Sequence, residues 1–156
     1  MFRITPVAAT ENAIEGYPDI SPDGRWIAYC SNREGQGQVY IRSLLGSGEK
    51  KVSKDGGLSP LWARNGKQLF YWSLDHGKIW VVDIQTGADL IVGNPRLLFE
   101  NNGIMVNPIR RGFDISLDDQ LFLAVRQEDR QPQPVTEINL VLNWFEELKR
   151  LAPTKK

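Results

Sequence analysis

With 156 residues, 41% of them apolar and 10% aromatic, the chain can build one domain with its own core and is too apolar to stay disordered. Nineteen basic and nineteen acidic side chains cancel, which leaves no global field for nucleic acid or an anionic membrane surface. A single cysteine, Cys30, rules out an internal disulfide and a cysteine-based zinc site; no apolar run reaches the ~20 residues of a bilayer span, and MFRITPVAAT lacks the apolar stretch of a signal peptide, so the chain as written is expected in the cytoplasm without membrane insertion.

The first element, FRITPV at residues 2–7, reads as an outermost strand with no sheet of its own. Next comes YPDISPDGRWIAYCS, residues 17–31, where SPDG reads as a bend. Pro22 presets the torsion of the second turn position, Asp23 bonds its own backbone, and Gly24 supplies the positive φ that folds a strand back. Strands follow at 26–30 and 39–44, joined through GQGQ at 35–38, with a weaker one at 50–53. The event recurs 42 residues on, where SPLWARNGKQLFYWS at 59–73 places Asn65-Gly66 in the position of Asp23-Gly24. Strands are expected there at 61–62, 68–73, 78–84 and 96–100, with turns at Asp75-His76-Gly77 and at QTG. A third copy, GFDISLDDQLFLAV at 112–125, repeats Asp-Ile-Ser and turns on Asp118-Asp119. Asp119 then takes the glycine position, at a left-handed cost that Asp tolerates better than most residues. Beyond it lie the polar loop QPQPVTE, a last strand INLVLNWF at 138–145, and a charged terminus whose residues 152–156 are expected to be a disordered tail.

The segments YWS and KIWVVDI are apolar on both faces, so they need packing above and below. A pile of small four-stranded sheets meets that need, and a repeat near 42 residues has the length of a β-propeller blade. The expected fold is all-β, a partial propeller of about three blades: one segment over 1–151 with repeats at 17–57, 58–102 and 112–145. Aromatic burial should concentrate in the 68–84 hairpin, with Trp80 as its anchor. Three blades do not close a ring, and the surplus strand 2–7 complements the strand that the third repeat lacks. A homodimer of six blades that exchanges residues 2–7 is therefore expected, or else completion by further blades of a longer chain.

SPDGRWIAYCSNREGQGQVYIRSL resembles the repeat of TolB-like propellers, the WD-like Pro-Asp repeat: strand, SPDG turn, strand, Ser-Asn-Arg loop, Ile/Val-Tyr strand. The second repeat keeps Gly66 but has Arg64 and Asn65 for Pro22 and Asp23, and the third keeps Asp114-Ile115-Ser116 without Pro or Gly. The ending INLVLNWFEELKRLAP is similar to the C-terminus of propeller regions fused to bacterial protein kinases and transcriptional regulators, which implies that the chain corresponds to their last three blades. The resemblance implies a fold and no catalytic residue, because the peptidase relatives carry their triad in a separate hydrolase domain.

His76, the single histidine, sits in a turn, and Ser47 in LGSGE lacks the strand-elbow-helix setting of a nucleophile. GQGQ has no helix after it to present to an anion, and Asp118-Asp119 with Glu128-Asp129 lacks the alternating spacing of calcium ligands. Cys30 shares a strand face with Trp26 and Ala28 and reads as core. No catalytic residue, metal site or cofactor is assigned. Asp19 and Asp114 point to function instead, since both occupy the innermost-strand position that faces a propeller's central channel, where the second repeat has Leu61. Arg110 and Arg111 enter the third repeat from the same end, so a channel mouth with both signs of charge is expected. These features favour a non-catalytic protein- or peptide-binding scaffold that does not take nucleic acid. The alternative is a set of accessory blades that gate or sense for a hydrolase or kinase domain elsewhere, or a truncated fragment.

Overall fold

The computed structural model describes residues 7–46, 48–87, 89–100 and 112–125, and all regular structure among them is β. β1 (Glu15–Ile20), β2 (Trp26–Ser31), β3 (Gln38–Ser43) and β4 (Glu49–Lys51) form an antiparallel meander in that order. β5 (Leu58–Trp62), β6 (Gln68–Trp72) and β7 (Lys78–Thr86) begin a second one, and β7 pairs with both β8 (Leu90–Val92) and β9 (Arg96–Glu100). β10 (Phe113–Ile115) and β11 (Phe122–Ala124) are paired strands of a third unit. The expected outer strand 2–7, apart from Val7, and the last strand 138–145 lie outside the described residues.

One hydrogen-bond circuit closes most of the bends. Ser21 Oγ donates to Asp23 Oδ1 and accepts from Trp26 N, while Gly24, at φ 69°, donates its N–H to Ser21 O. Ser116, Asp118 and Leu121 repeat this circuit, with Asp119 at φ 58° in the glycine position, as its place in the repeat implies. A further copy lies in SLDHGK, where the sequence showed only a turn: Ser73 Oγ donates to Asp75 Oδ1 and accepts from Lys78 N, with His76 at φ 56°. A serine two residues before an aspartate gives the carboxylate a donor and the next strand an acceptor, so the bend is satisfied locally. The serine hydroxyl is also the main cause that holds Asp23, Asp75 and Asp118 below the ordinary 3.8 of an aspartate.

Packing stacks these sheets face to face as consecutive propeller blades. Trp26, Ala28, Val39 and Ile41 of the first blade meet Trp62, Leu69, Tyr71 and Val82 of the second in one buried cluster. On its other side the second blade turns Phe70, Trp72, Ile79 and Val81 to Phe113, Ile115 and Phe122 of the third. Trp72 and Phe113 touch edge to face at 5.5 Å. Two details differ from the sequence reading. Gln85 and Thr86 belong to β7 rather than to a turn, because Leu90 buries beside Ile84 in the first cluster and draws in β8 as an extra strand. Trp80 is not the anchor: it is only partly buried, whereas Trp72 and Trp62 are 0% and 2% exposed. Cys30 is core, as its strand alternation implies; its Sγ–H donates to Gly57 O at 3.4 Å, and burial pushes the thiol up to about 11.

The outer face of the first blade is finished by polar side chains. Tyr29 and Tyr40 lie 5.8 Å apart, Arg33 covers Tyr40 at 3.8 Å and pairs with Glu49, and Lys51 pairs with Glu34. Burial alone would raise Glu49, but Arg33 and the Tyr29 hydroxyl outweigh it and hold the carboxyl below its ordinary range.

Two outcomes follow from this packing and turn chemistry. Trp72→Ala should lower stability by about 3–5 kcal/mol in urea unfolding, and Trp80→Ala by less, because part of that indole already meets solvent. The Asp23, Asp75 and Asp118 carboxyls are depressed in the folded state, so their contribution is present above the ordinary value of 3.8 and is lost as pH falls through their lower folded values. An NMR titration should place all three below 3.8, and Ser116→Ala should return Asp118 upward.

Candidate functional site

The bends of successive blades meet one another and carry the residues that the sequence pointed to. Asp19, at the end of β1, accepts the N–H of Trp62 on β5 at 2.7 Å, so its carboxylate joins the first blade to the second. Asp114 accepts from its neighbour Ile115 N and from the guanidinium of Arg64, at 2.8 and 3.2 Å. Asp119 accepts the N–H groups of Arg64 and Asn65 at 2.6 and 2.9 Å, which caps the bend of the second blade with the carboxylate of the third. Pro22 of the first bend stands over Gly66 of the second, where an added Cβ would lie 3.7 Å from its ring. Arg110 and Arg111 lie outside the described residues, as do Ser47 and Glu128-Asp129. Among the described residues the cation beside Asp114 is Arg64, which sequence reading passed over as a departure from the turn pattern.

Beside these bends a cleft of about 940 Å³ opens between the first two blades, lined by Ser21, Asp23, Lys67, Gln68, Asp83 and Thr86. Arg25 reaches across between the blades to donate to Gly87 O at 3.3 Å.

A second cavity, of about 550 Å³, has a different character. Tyr71, Leu74, Trp80 and Pro95 give it apolar and aromatic walls, and Lys54, Asp55, Asp75 and Lys78 line it as well. Burial first, and the Asp55 charge second, push the Tyr71 phenol above its ordinary range. Lys54 Nζ donates to Asn94 Oδ1 at 3.0 Å, and Asp75 is held by Ser73 and by Gly77 N. Sequence reading missed this cavity because its wall combines β6, β7 and the connections before β5 and β9. The signal within reach was Trp80 opposite Tyr71, one large aromatic pair more than a sealed face needs.

His76 serves the hairpin, donating its N–H to Ser73 O at 3.0 Å, while the Ser73 hydroxyl is directed at Asp75. Among the described residues no group of three or more His, Cys, Asp or Glu is placed to hold a metal ion, and no helix is long and apolar enough to cross a membrane.

Stacked antiparallel meanders joined through their bends make this chain a segment of a β-propeller. No family model matches it. It is 32% identical over 101 residues to an uncharacterized protein of Agrobacterium fabrum, a match that covers 58% of this chain and 34% of that protein. A solved structure assigned as TolB from Agrobacterium tumefaciens is similar at 27% identity, over 53% of this chain and 32% of that one, with a TM-score of 0.44. In both comparisons the match spans about a third of the other protein's length.

The bend-to-bend contact sets two effects against each other at Asp119. Glycine there would relieve about 1 kcal/mol of left-handed strain but would remove a carboxylate that accepts two backbone N–H groups, each bond worth about 1.5–3 kcal/mol. Asp119→Gly should therefore destabilise, by about 2–5 kcal/mol in urea unfolding.

Proposed function

We propose that the chain is a non-catalytic, peptide- or protein-binding module of the TolB-like propeller type. The cavity of Trp80, Tyr71, Leu74 and Pro95 takes an apolar or aromatic side chain of an extended peptide. The observation that carries this reading is an aromatic wall left partly open among lysines. The wall removes apolar surface from water, while the ammonium groups of Lys54 and Lys78 meet carbonyl oxygens of the peptide backbone. The non-catalytic part draws support from Ser73, the serine that lines this cavity, whose hydroxyl is directed at Asp75 and accepts Lys78 N in closing its hairpin. The TolB-like assignment draws on the SPDG repeat, and the similarity of INLVLNWFEELKRLAP extends it to the closing blades of propeller regions attached to bacterial kinases or regulators.

Selection of a displayed random-peptide library on the immobilised protein should yield ligands with an apolar or aromatic side chain at one position. Their binding should shift the emission of the partly exposed Trp80, and the double variant Lys54→Glu, Lys78→Glu should weaken them at least about tenfold, or 1.4 kcal/mol, by calorimetry. Selected peptides that bind this variant as tightly as the parent would place the site elsewhere.

A further inference from the structure

Lys54 and Pro95 line the Trp80 cavity and also a neighbouring one of about 460 Å³, which lies between β4 and the connection from β8 to β9. Strand alternation decides which charges reach it. Glu49 and Lys51 leave β4 on the outer side, where Arg33 and Glu34 hold them. Lys50 and Val52 leave it toward the second blade: Lys50 stands opposite Ile41, and Val52 joins Ile41 in the buried cluster between the blades. Two residues on, Lys54 reaches across to Asn94 Oδ1 of the second blade. A lysine therefore stands on either side of a sealed valine along the chain, and among the described residues neither Lys50 nor Lys54 forms an ion pair.

The two cavities differ in charge. In the Trp80 cavity Lys54 and Lys78 are matched by Asp55 and Asp75, whereas the neighbouring one is lined by Lys50, Lys51 and Lys54 and by no carboxylate. Its frame is held from both blades. Ser53 Oγ accepts Val39 N and donates to Gln38 Oε1, and Gly93 N donates to Asp83 O at 2.9 Å, so the cationic rim is set before any ligand arrives.

We propose that the lysine-lined cavity takes acidic side chains of the same peptide whose apolar side chain fills the Trp80 cavity. The ligand is then an extended peptide with Asp or Glu about two to three residues from its aromatic or apolar side chain, the length that spans adjoining cavities at ~3.3 Å per residue. This inference rests on the Trp80 cavity being a peptide site. Lys50 and Lys54 have no ion pair to break when a carboxylate enters, and a concave site admits side chains where a bilayer surface or a nucleic-acid duplex would bridge over it.

A displayed library with one fixed tryptophan and five randomised positions on each side, selected on the immobilised full chain, should enrich Asp or Glu on one side of the tryptophan. By calorimetry, Lys50→Glu should weaken a selected peptide at least about fivefold. The same peptide with its enriched acids replaced by Asn or Gln should bind the parent protein at least about fivefold more weakly, and should bind parent and Lys50→Glu within about twofold of each other. The amide peptide on the parent protein reads the interaction with no substitution in the chain. Selected peptides that need the tryptophan but show no acidic preference, or acidic peptides indifferent to Lys50→Glu, overturn this inference and leave the Trp80 cavity standing as a peptide site. Displacement of the peptide by a lower concentration of a single-stranded oligonucleotide would assign the lysines to phosphates and overturn it as well. A selection that yields no tryptophan-dependent ligand overturns both readings.

Discussion

Leu69, Tyr71, Val82 and Ile84 leave β6 and β7 on one side, Phe70, Trp72, Ile79 and Val81 on the other, and none has more than 4% of its surface exposed. A sheet built this way has no face for water, so it is stable only between two others. Backbone hydrogen bonds shape each blade, while burial on both sides, at roughly 25 cal/mol per Å² of apolar surface, binds the blades into a stack. Burial runs deep enough that the indole N–H groups of Trp26, Trp62 and Trp72 meet no acceptor among the described residues. An unmet donor costs about 1–3 kcal/mol, less than the about 3–5 kcal/mol that truncating a buried indole would cost, so the packing wins.

Apolar burial alone does not fix how far one sheet slides along the next. The bends supply that registry. Pro22 rests on Gly66, Asp119 caps the N–H groups of Arg64 and Asn65, and Asp19 holds the N–H of Trp62. Directional bonds of this kind weaken steeply with misalignment, so each favours one offset between neighbouring blades. The same bends explain why Asp119 and His76 tolerate positive φ without being glycine. At Asp119 the side chain that makes the torsion costly also makes the inter-blade bond.

Recognition surfaces arise where the stacking requirement is left incomplete. The Trp80 cavity forms where an aromatic pair outgrows its cover, with Tyr71 sealed and Trp80 open. Among the described residues the faces of the first and third blades that turn away from the second differ. Tyr29, Tyr40, Arg33 and Glu49 cover most of the first blade's outer face, whereas Leu121, Leu123 and Val125 leave the third blade's apolar.

The blades were legible in the sequence because their bends are local. Ser21, Asp23 and Gly24 satisfy one another within four residues, and the 42-residue recurrence with Asn65-Gly66 marks the next blade before any contact is known. Most strands accordingly fall within a few residues of their expected bounds, and Asp119 takes the left-handed position that its place in the repeat implied. Asp19 and Asp114 lie on β1 and β10, equivalent strands of their repeats, but their partners, Trp62 N and Arg64, lie 43 and 50 residues away and emerge only when blades stack. β8 escaped notice because Leu90 has nowhere to bury until the first blade is in place beside Ile84. The choice of Trp80 over Trp72 as the sealed indole failed for the same reason, since both sit on strands apolar on two sides and only the neighbouring blade and β9 choose between them. The sequence by itself determined the torsions, and through them the bends, strands and repeat, because those interactions join near neighbours along the chain. Tertiary structure alone decided which aromatic is buried, which carboxylate bridges and where the cavity opens, because these depend on surfaces that meet only after the strands have formed.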